Sequence, residues 1–310
     1  MNSIVYHYTS PQGAFEILRN KTLWFTDCQY LNDMSEFIYI LEPLKEAYKK
    51  ISQERGEITD GADTFLKSFF ESPYEDLDFE DIFKRKGQGI KHGFLPKFRY
   101  YVLCTSSNAD TASMWNYYVK EGAYHGYNLG LDQRAICEWF SLQNNSQIKL
   151  VEGAVIYNPK KQVEMIYDKL QILFNRFDEM MRLIGQENDD SIAIDEFQDG
   201  LFDYINKQKL FFKSPSFESE KEFRFVLKVH DDFFNNSNHN LRVDFRVGAS
   251  GIITPYIEWF FGDLKVTLLK QITLSPMMEP ELAKASFKRF LAGDVYRNIK
   301  IEPSRIKLRF

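Results

Sequence analysis

The segment SEKEFRFVLKV constrains this chain more than any other, because an alternating pattern there separates two kinds of chemistry. With a side-chain period of two, Phe223, Phe225, Leu227 and Val229 fall on one side of a strand. Glu220, Glu222, Arg224 and Val226 fall on the other. Such a strand must lay its apolar side on a core. Its polar side crowds two carboxylates at i and i+2 with an arginine at i+4, which is costly unless solvent or a ligand meets them. A charged face on an edge strand answers that demand. So does a pair of carboxylates beside a cleft: glycosidic chemistry uses one to stabilise positive charge on a sugar and another to activate the nucleophile.

Strand signals occur at both ends of the chain. IVYHYT has strand composition, and Ser10 before Pro11 supplies an N-cap and a first helical residue. The short helix that follows turns Ala14, Ile17 and Leu18 inward. TLWF reads as a second strand, and CQYLNDMSEF as a loop entering a longer helix near Ser35. FRYYVLCTS, GYNLGL and KLVEGAVIY are strand-like, and NADTASMWNYYV is helical. Two helical stretches between about 160 and 211 look like a peripheral pair. The last third returns to strands with KEFRFVLKV, LRVDF, SGIIT, QITLS and IKIEPSRIKLRF, and a helix near 279 to 292. The order predicts an α+β fold with a split mixed or antiparallel sheet and peripheral helices. One domain over 1–310 is expected, with insertions at about 54–98 and 160–211. The first insertion joins an acidic piece, EDLDFED, to a basic one, KRKGQGIKHGF, and reads as a helical insertion or lid.

Composition narrows the function classes. The formal balance of 39 basic and 44 acidic residues gives a net charge of -5, so an anionic partner must be held by a local basic site rather than by the overall field. Cys28, Cys104 and Cys137 form no CxxC pair and no zinc pattern, which predicts reduced thiols and no metal. No apolar run approaches a membrane span, and the first residues lack the pattern of a secretory leader, so the expectation is a cytoplasmic protein without membrane contact. There is no GxxxxGK[ST] loop, strand-associated GxGxxG, HExxH or GxSxG.

Four further features carry candidate chemistry. His7 shares a strand side with Val5 and Thr9, while Tyr6 and Tyr8 share the other; an imidazole and a hydroxyl then sit before a helix N-terminus that attracts anions. The plainer reading makes His7 a core histidine bonded to a carbonyl. Met114, Trp115, Tyr117 and Tyr118 form an aromatic stripe at helical spacing, more often core than ligand platform. Asn32 and Asp33, followed by Glu36, read as a turn with a helix cap, and their polar groups could instead line a nucleotide site. Lys84, Arg85, Lys86, Lys91 and His92, with Phe94, Phe98 and Tyr100 near them, form either a solvated loop or a nucleic-acid contact.

Taken together, YHYTS, LND with Glu36, LCTS before MWNYY, GYNLGL, VIY, KSPSFESEKEFR and IEPSRIKLR resemble the bacterial family known as domain of unknown function 2971, over nearly the whole chain. Phe217 stands where that family often has tryptophan. The H-Y-T motif also resembles the opening motif of the ADP-ribosyltransferase fold, with Tyr8 replacing the usual glycine. That resemblance implies NAD as substrate and no metal. It implies that His7 bonds the adenosine ribose, that Tyr8 and Thr9 lie beside the nicotinamide, and that Trp115 or Tyr118 stacks on it. Glu222 would be the catalytic carboxylate, Glu220 the activator of the acceptor, and Arg224 a group that orients Glu222 or holds a phosphate. A nucleic acid, a protein or water would accept the ADP-ribose, in a toxin or defence effector. A nucleotide or ligand sensor without turnover and a nucleic-acid-binding module are the alternatives.

Overall fold

A computed structural model of the chain describes residues 4–31, 36–56, 60–71, 98–118, 125–143, 147–184, 190–230, 233, 240–248 and 251–307. The chain divides into two compact units, one of Met1–Asn32, Pro96–Ala154 and Glu218–Phe310, the other of Asp33–Leu95 and Val155–Phe217.

The first unit is built on a 10-stranded sheet among the described residues. Its strands are β1 (Ile4–Thr9), β2 (Thr22–Asp27), β3 (Phe98–Ser106), β4 (Tyr127–Asp132), β5 (Ile148–Ala154), β6 (Glu222–His230), β7 (Leu241–Val247), β8 (Ile253–Phe260), β9 (Leu269–Leu274) and β10 (Lys300–Pro303). They run in the order β10-β9-β4-β1-β3-β2-β8-β7, with β6 on β3 and β5 on β6. β9 and β10 are parallel, and the other pairs are antiparallel. The α+β class and the mostly antiparallel sheet therefore match the sequence expectation.

The sheet forks at β3. β6 pairs with β3 along its whole length, from Phe98↔His230 to Ser106↔Glu222, and so occupies one edge. The other edge is shared: β1 meets it at Tyr6↔Ser106, and β2 meets it at Thr26↔Val102 and Asp27↔Tyr101. One arm then continues through β4, β9 and β10, the other through β8 and β7. This topology corrects the edge-strand explanation of the E-x-E-x-R segment. β6 lies between β3 and β5, so its charged side is interior to the sheet.

One face of the sheet carries the main core. Val5, Leu23, Phe25, Tyr101, Leu103, Leu129, Phe225, Leu227, Ile257 and Trp259 point to it. Three helices cover it: α1 (Pro11–Asn20) through Leu18, α6 (Gln133–Gln143) through Ile136 and Phe140, and α9 (Pro280–Phe290) through Phe287. α1 begins as its sequence demands, with the Ser10 hydroxyl accepting from the Gly13 amide at 3.1 Å and Pro11 at the first turn. α6 had no counterpart among the sequence assignments, and the SGIIT strand reaches only the first two residues of β8. Their residues supply the aromatic centre, where Phe140 lies 5.4 Å from Phe25 and 5.1 Å from Trp259 between ring centroids.

The second unit is helical. After the short α2 (Glu36–Tyr39), α3 (Leu41–Arg55), α4 (Gly61–Glu71), α7 (Pro159–Ile184) and α8 (Ser191–Gln208) bury Leu44, Ile51, Leu66, Phe69, Leu170, Phe174, Phe197 and Leu201 in a core of their own. The stretch 160–211 is thus part of a second core, because α7 and α8 meet segments from before residue 72 as well as each other. Among the described residues no helix is long and apolar enough to cross a membrane.

Phe140 is 1% exposed, and replacing it with alanine removes a ring that α6 contributes to the centre of the first unit. The expected loss is about 3–5 kcal/mol, read from urea unfolding; a loss below about 1 kcal/mol would contradict this packing.

Candidate functional site

The face of the sheet opposite the main core gathers the polar side chains. Register alone puts Glu222, Ser106, Tyr6 and Gly130 in one lateral row across β6, β3, β1 and β4. Arg224 and Cys104 form the next row. On the other arm, Trp24, Glu258 and Arg242 align across β2, β8 and β7, as do Thr26, Tyr256 and Asp244. Side chains on alternate residues share a face, so all of these stand on the side away from Phe25, Leu103 and Phe225.

The E-x-E-x-R segment is held by three successive hydroxyls at the end of β3. Thr105 Oγ1 donates to the Phe223 carbonyl at 2.6 Å, Ser106 Oγ to the Glu220 carbonyl at 2.6 Å, and Ser107 Oγ to the Lys221 carbonyl at 3.1 Å. Between Glu220 and Glu222 the backbone passes through the left-handed region at Lys221, with φ 44°. A lysine there is strained, and the hydroxyl clamp offsets the strain by fixing the chain on both sides. Glu220, Glu222 and Arg224 are buried, at 5%, 4% and 1% exposure. Arg224 Nη2 donates to Glu222 Oε2 at 2.8 Å, so the arginine orients the carboxylate. Two charges this deep are tolerable only as a pair with good geometry.

His7 stands where the sheet forks. Its Nδ1 lies 3.1 Å from the Cys104 carbonyl oxygen, on the edge of β3 between its pairing with β1 and its pairing with β2. A carbonyl only accepts, so Nδ1 carries the proton and Nε2 holds the lone pair. Burial lowers the pKa of His7, opposed by the bond to Cys104 and reinforced by the charge of Arg246. His7 is therefore both the carbonyl-bonded strand histidine of the plainer reading and a half-buried imidazole with one free nitrogen. By register, Glu222 shares its row with Tyr6 rather than with His7.

The remaining candidates divide. Tyr8 is buried, donates to the Asn108 carbonyl at 3.0 Å and meets the Trp115 ring edge-on at 4.8 Å. Burial pushes its pKa up. Trp115, on α5 (Ala112–Tyr118), is 0% exposed and donates through Nε1 to Asp110 at 2.6 Å, so with Met114 it is core rather than platform. Thr9 is half-buried, and its hydroxyl lies where a Cβ on Gly13 would be 2.2 Å away, which explains a glycine in the first turn of α1. Asn32, Asp33, the side chain of Tyr118, and Lys84, Arg85, Lys86, Lys91, His92 and Phe94 lie outside the described residues. Phe98 and Tyr100 flank the Lys228 ammonium at 4.7 and 6.0 Å. Among the described residues no group of three or more His, Cys, Asp or Glu is arranged to hold a metal.

Sequence reasoning passed over Trp24, Tyr256 and Arg246. The i, i+2 alternation of LRVDFRV shows that Arg242, Asp244 and Arg246 share a side, but only the pairing of β2 with β8 and of β8 with β7 brings them beside Trp24 and Tyr256.

Glu222→Ala takes a carboxylate from a buried arginine, so it is expected to destabilise the fold, by up to about 3–5 kcal/mol, measured by denaturant unfolding; no loss of stability would contradict the burial of the pair. For His7 the folded pKa lies below the unfolded one, so as pH falls through the unfolded value the unfolded chain takes the proton first and stability drops. Between the two pKa values wild type is expected to lose up to about 1.4 kcal/mol per pH unit more than His7→Gln. Parallel pH–stability curves for the two proteins would refute the neutral imidazole.

No curated protein and no solved structure matches the chain. Residues 114–225, which begin at the M-W-x-x-Y motif and end just past E-x-E-x-R, match the model of the family described as Protein of unknown function (DUF2971), and it is this family that the chain's motifs resemble.

Proposed function

We propose that the chain binds NAD or a related nucleotide on the polar face at the fork and acts as an ADP-ribosyltransferase-like protein. The observation that carries this reading is the gathering around β3 of a buried carboxylate oriented by an arginine, a second buried carboxylate two residues before it and, where the sheet forks, an imidazole with a free Nε2. His7 Nε2 accepts from a ribose hydroxyl. When the bond between nicotinamide nitrogen and ribose carbon breaks, its electron pair leaves with nicotinamide and positive charge builds on the ribose. The Glu222 carboxylate, fixed by Arg224, stabilises that charge more in the transition state than in the ground state. Glu220 takes the proton of the attacking acceptor, a macromolecular group or water. With no metal in these steps, the charge is handled by carboxylates alone.

A second reading, a nucleotide sensor without turnover, is favoured by one feature: the Glu222 side chain is 3% exposed and already engaged by Arg224, so substrate must uncover it. Nicotinamide release from NAD, followed for wild type, Glu222→Gln and His7→Ala in the presence of cellular RNA, DNA and protein, separates the two. The enzyme reading expects release that falls at least about a hundredfold in Glu222→Gln. NAD binding with no release by folded wild type would leave the sensor.

A further inference from the structure

We propose that Arg246 is an anion-binding subsite on the polar face of the fork, taking a phosphate of the bound nucleotide. The inference deepens the reading above by naming the group that would hold the charged end of the ligand, and it rests on that reading for the identity of the ligand.

The charges on β7 and β8 are sorted. Arg242 spans two carboxylates, with Nη2 at 2.8 Å from Asp244 Oδ2 and 3.2 Å from Glu258 Oε1. Glu258 also accepts from Trp24 Nε1 at 3.3 Å. Arg246 is held by neutral groups among the described residues: Nη2 donates to Thr26 Oγ1 at 3.0 Å, and the guanidinium carbon lies 5.6 Å from the centroid of the Trp24 ring. Among the described residues no carboxylate comes within ion-pair distance of it. The Trp24 ring is backed by Tyr256 at 4.5 Å, and Tyr256 is 5% exposed, so the platform beneath the guanidinium is rigid. Five donors fan out from that plane and Thr26 uses one, which leaves a fork suited to two oxygens of a phosphate.

Position completes the case. Solvent still reaches Arg246, yet the groups around its guanidinium desolvate it enough to lower its pKa. Its charge is also felt at His7. An arginine with no carboxylate at ion-pair distance among the described residues, partly desolvated and electrostatically coupled to the candidate ribose-binding imidazole, is stabilised by an incoming anion. A ligand whose ribose meets His7 brings such an anion with it.

The test is binding of inorganic pyrophosphate and of ADP-ribose by titration calorimetry to wild type, Arg246→Ala and Arg246→Lys. Arg289→Ala on the core-face helix α9 serves as an equal change of charge, and near-ultraviolet circular dichroism checks folding. Affinity for both probes should fall at least about tenfold in Arg246→Ala, partly recover in Arg246→Lys, and stay within about twofold in Arg289→Ala. Pyrophosphate should also raise the titration midpoint of His7, followed by NMR, because it neutralises the charge that disfavours the imidazolium.

Equal affinity in wild type and Arg246→Ala would overturn the proposal, and so would wild type that binds neither probe. Pyrophosphate binding that needs Arg246, in a protein that releases no nicotinamide, would uphold the subsite and retire the transferase reading. Release from sub-saturating NAD that is indifferent to Arg246→Ala would do the reverse.

Discussion

The first unit depends on one constraint: a single strand, β3, has to satisfy three neighbours with two edges. β6 takes one edge from Phe98 to Ser106, leaving β1 and β2 to divide the other. Where a strand edge changes partner, backbone groups are left over, and buried carbonyls need a donor. The imidazole of His7 supplies it to Cys104. The same residue that closes this gap is thereby held in one tautomer with its other nitrogen free, so a structural need and a chemical capacity arise from one hydrogen bond.

The hydroxyls of Thr105, Ser106 and Ser107 follow from the same arrangement. They lie at the end of β3 where β1 joins it, and they bond the carbonyls of Phe223, Glu220 and Lys221. The result is a rigid entry into β6 with Glu222 and Arg224 locked side by side beneath 5% exposure. Burying such a pair buys little stability over an apolar pair of the same volume. What the pair does in the structure is hold the Glu222 carboxylate in one orientation. Polar satisfaction is equally close around α5, where Asp110 accepts from Trp115, from the Ser304 hydroxyl and from the Arg305 amide.

Across the fork, the second arm complements the first. Arg242 compensates Asp244 and Glu258, and Arg246 sits against Thr26 and Trp24 with no carboxylate at ion-pair distance among the described residues. On the polar face the Glu222 carboxylate thus stands on β6 and the Arg246 guanidinium on β7, the two signs of charge that the proposed nucleotide reading assigns to the sugar and to the phosphates.

The sequence by itself determined the elements and their sides. Alternation in KEFRFVLKV separated Phe225 and Leu227 from Glu222 and Arg224, and Ser10-Pro11 marked the start of α1, because strand period and cap chemistry are local properties. It also carried the stretch 114–225 that matches the model of the family described as Protein of unknown function (DUF2971). Alternation says which residues share a side but not which strand lies next to which. Only the tertiary structure decided that β6 is interior rather than an edge, that Trp115 is core, that 160–211 belongs to a second helical core, and that Arg246 stands beside Trp24. Each of these depends on pairing between segments far apart in the chain, and the free energy of such pairing is not written in any single stretch of residues.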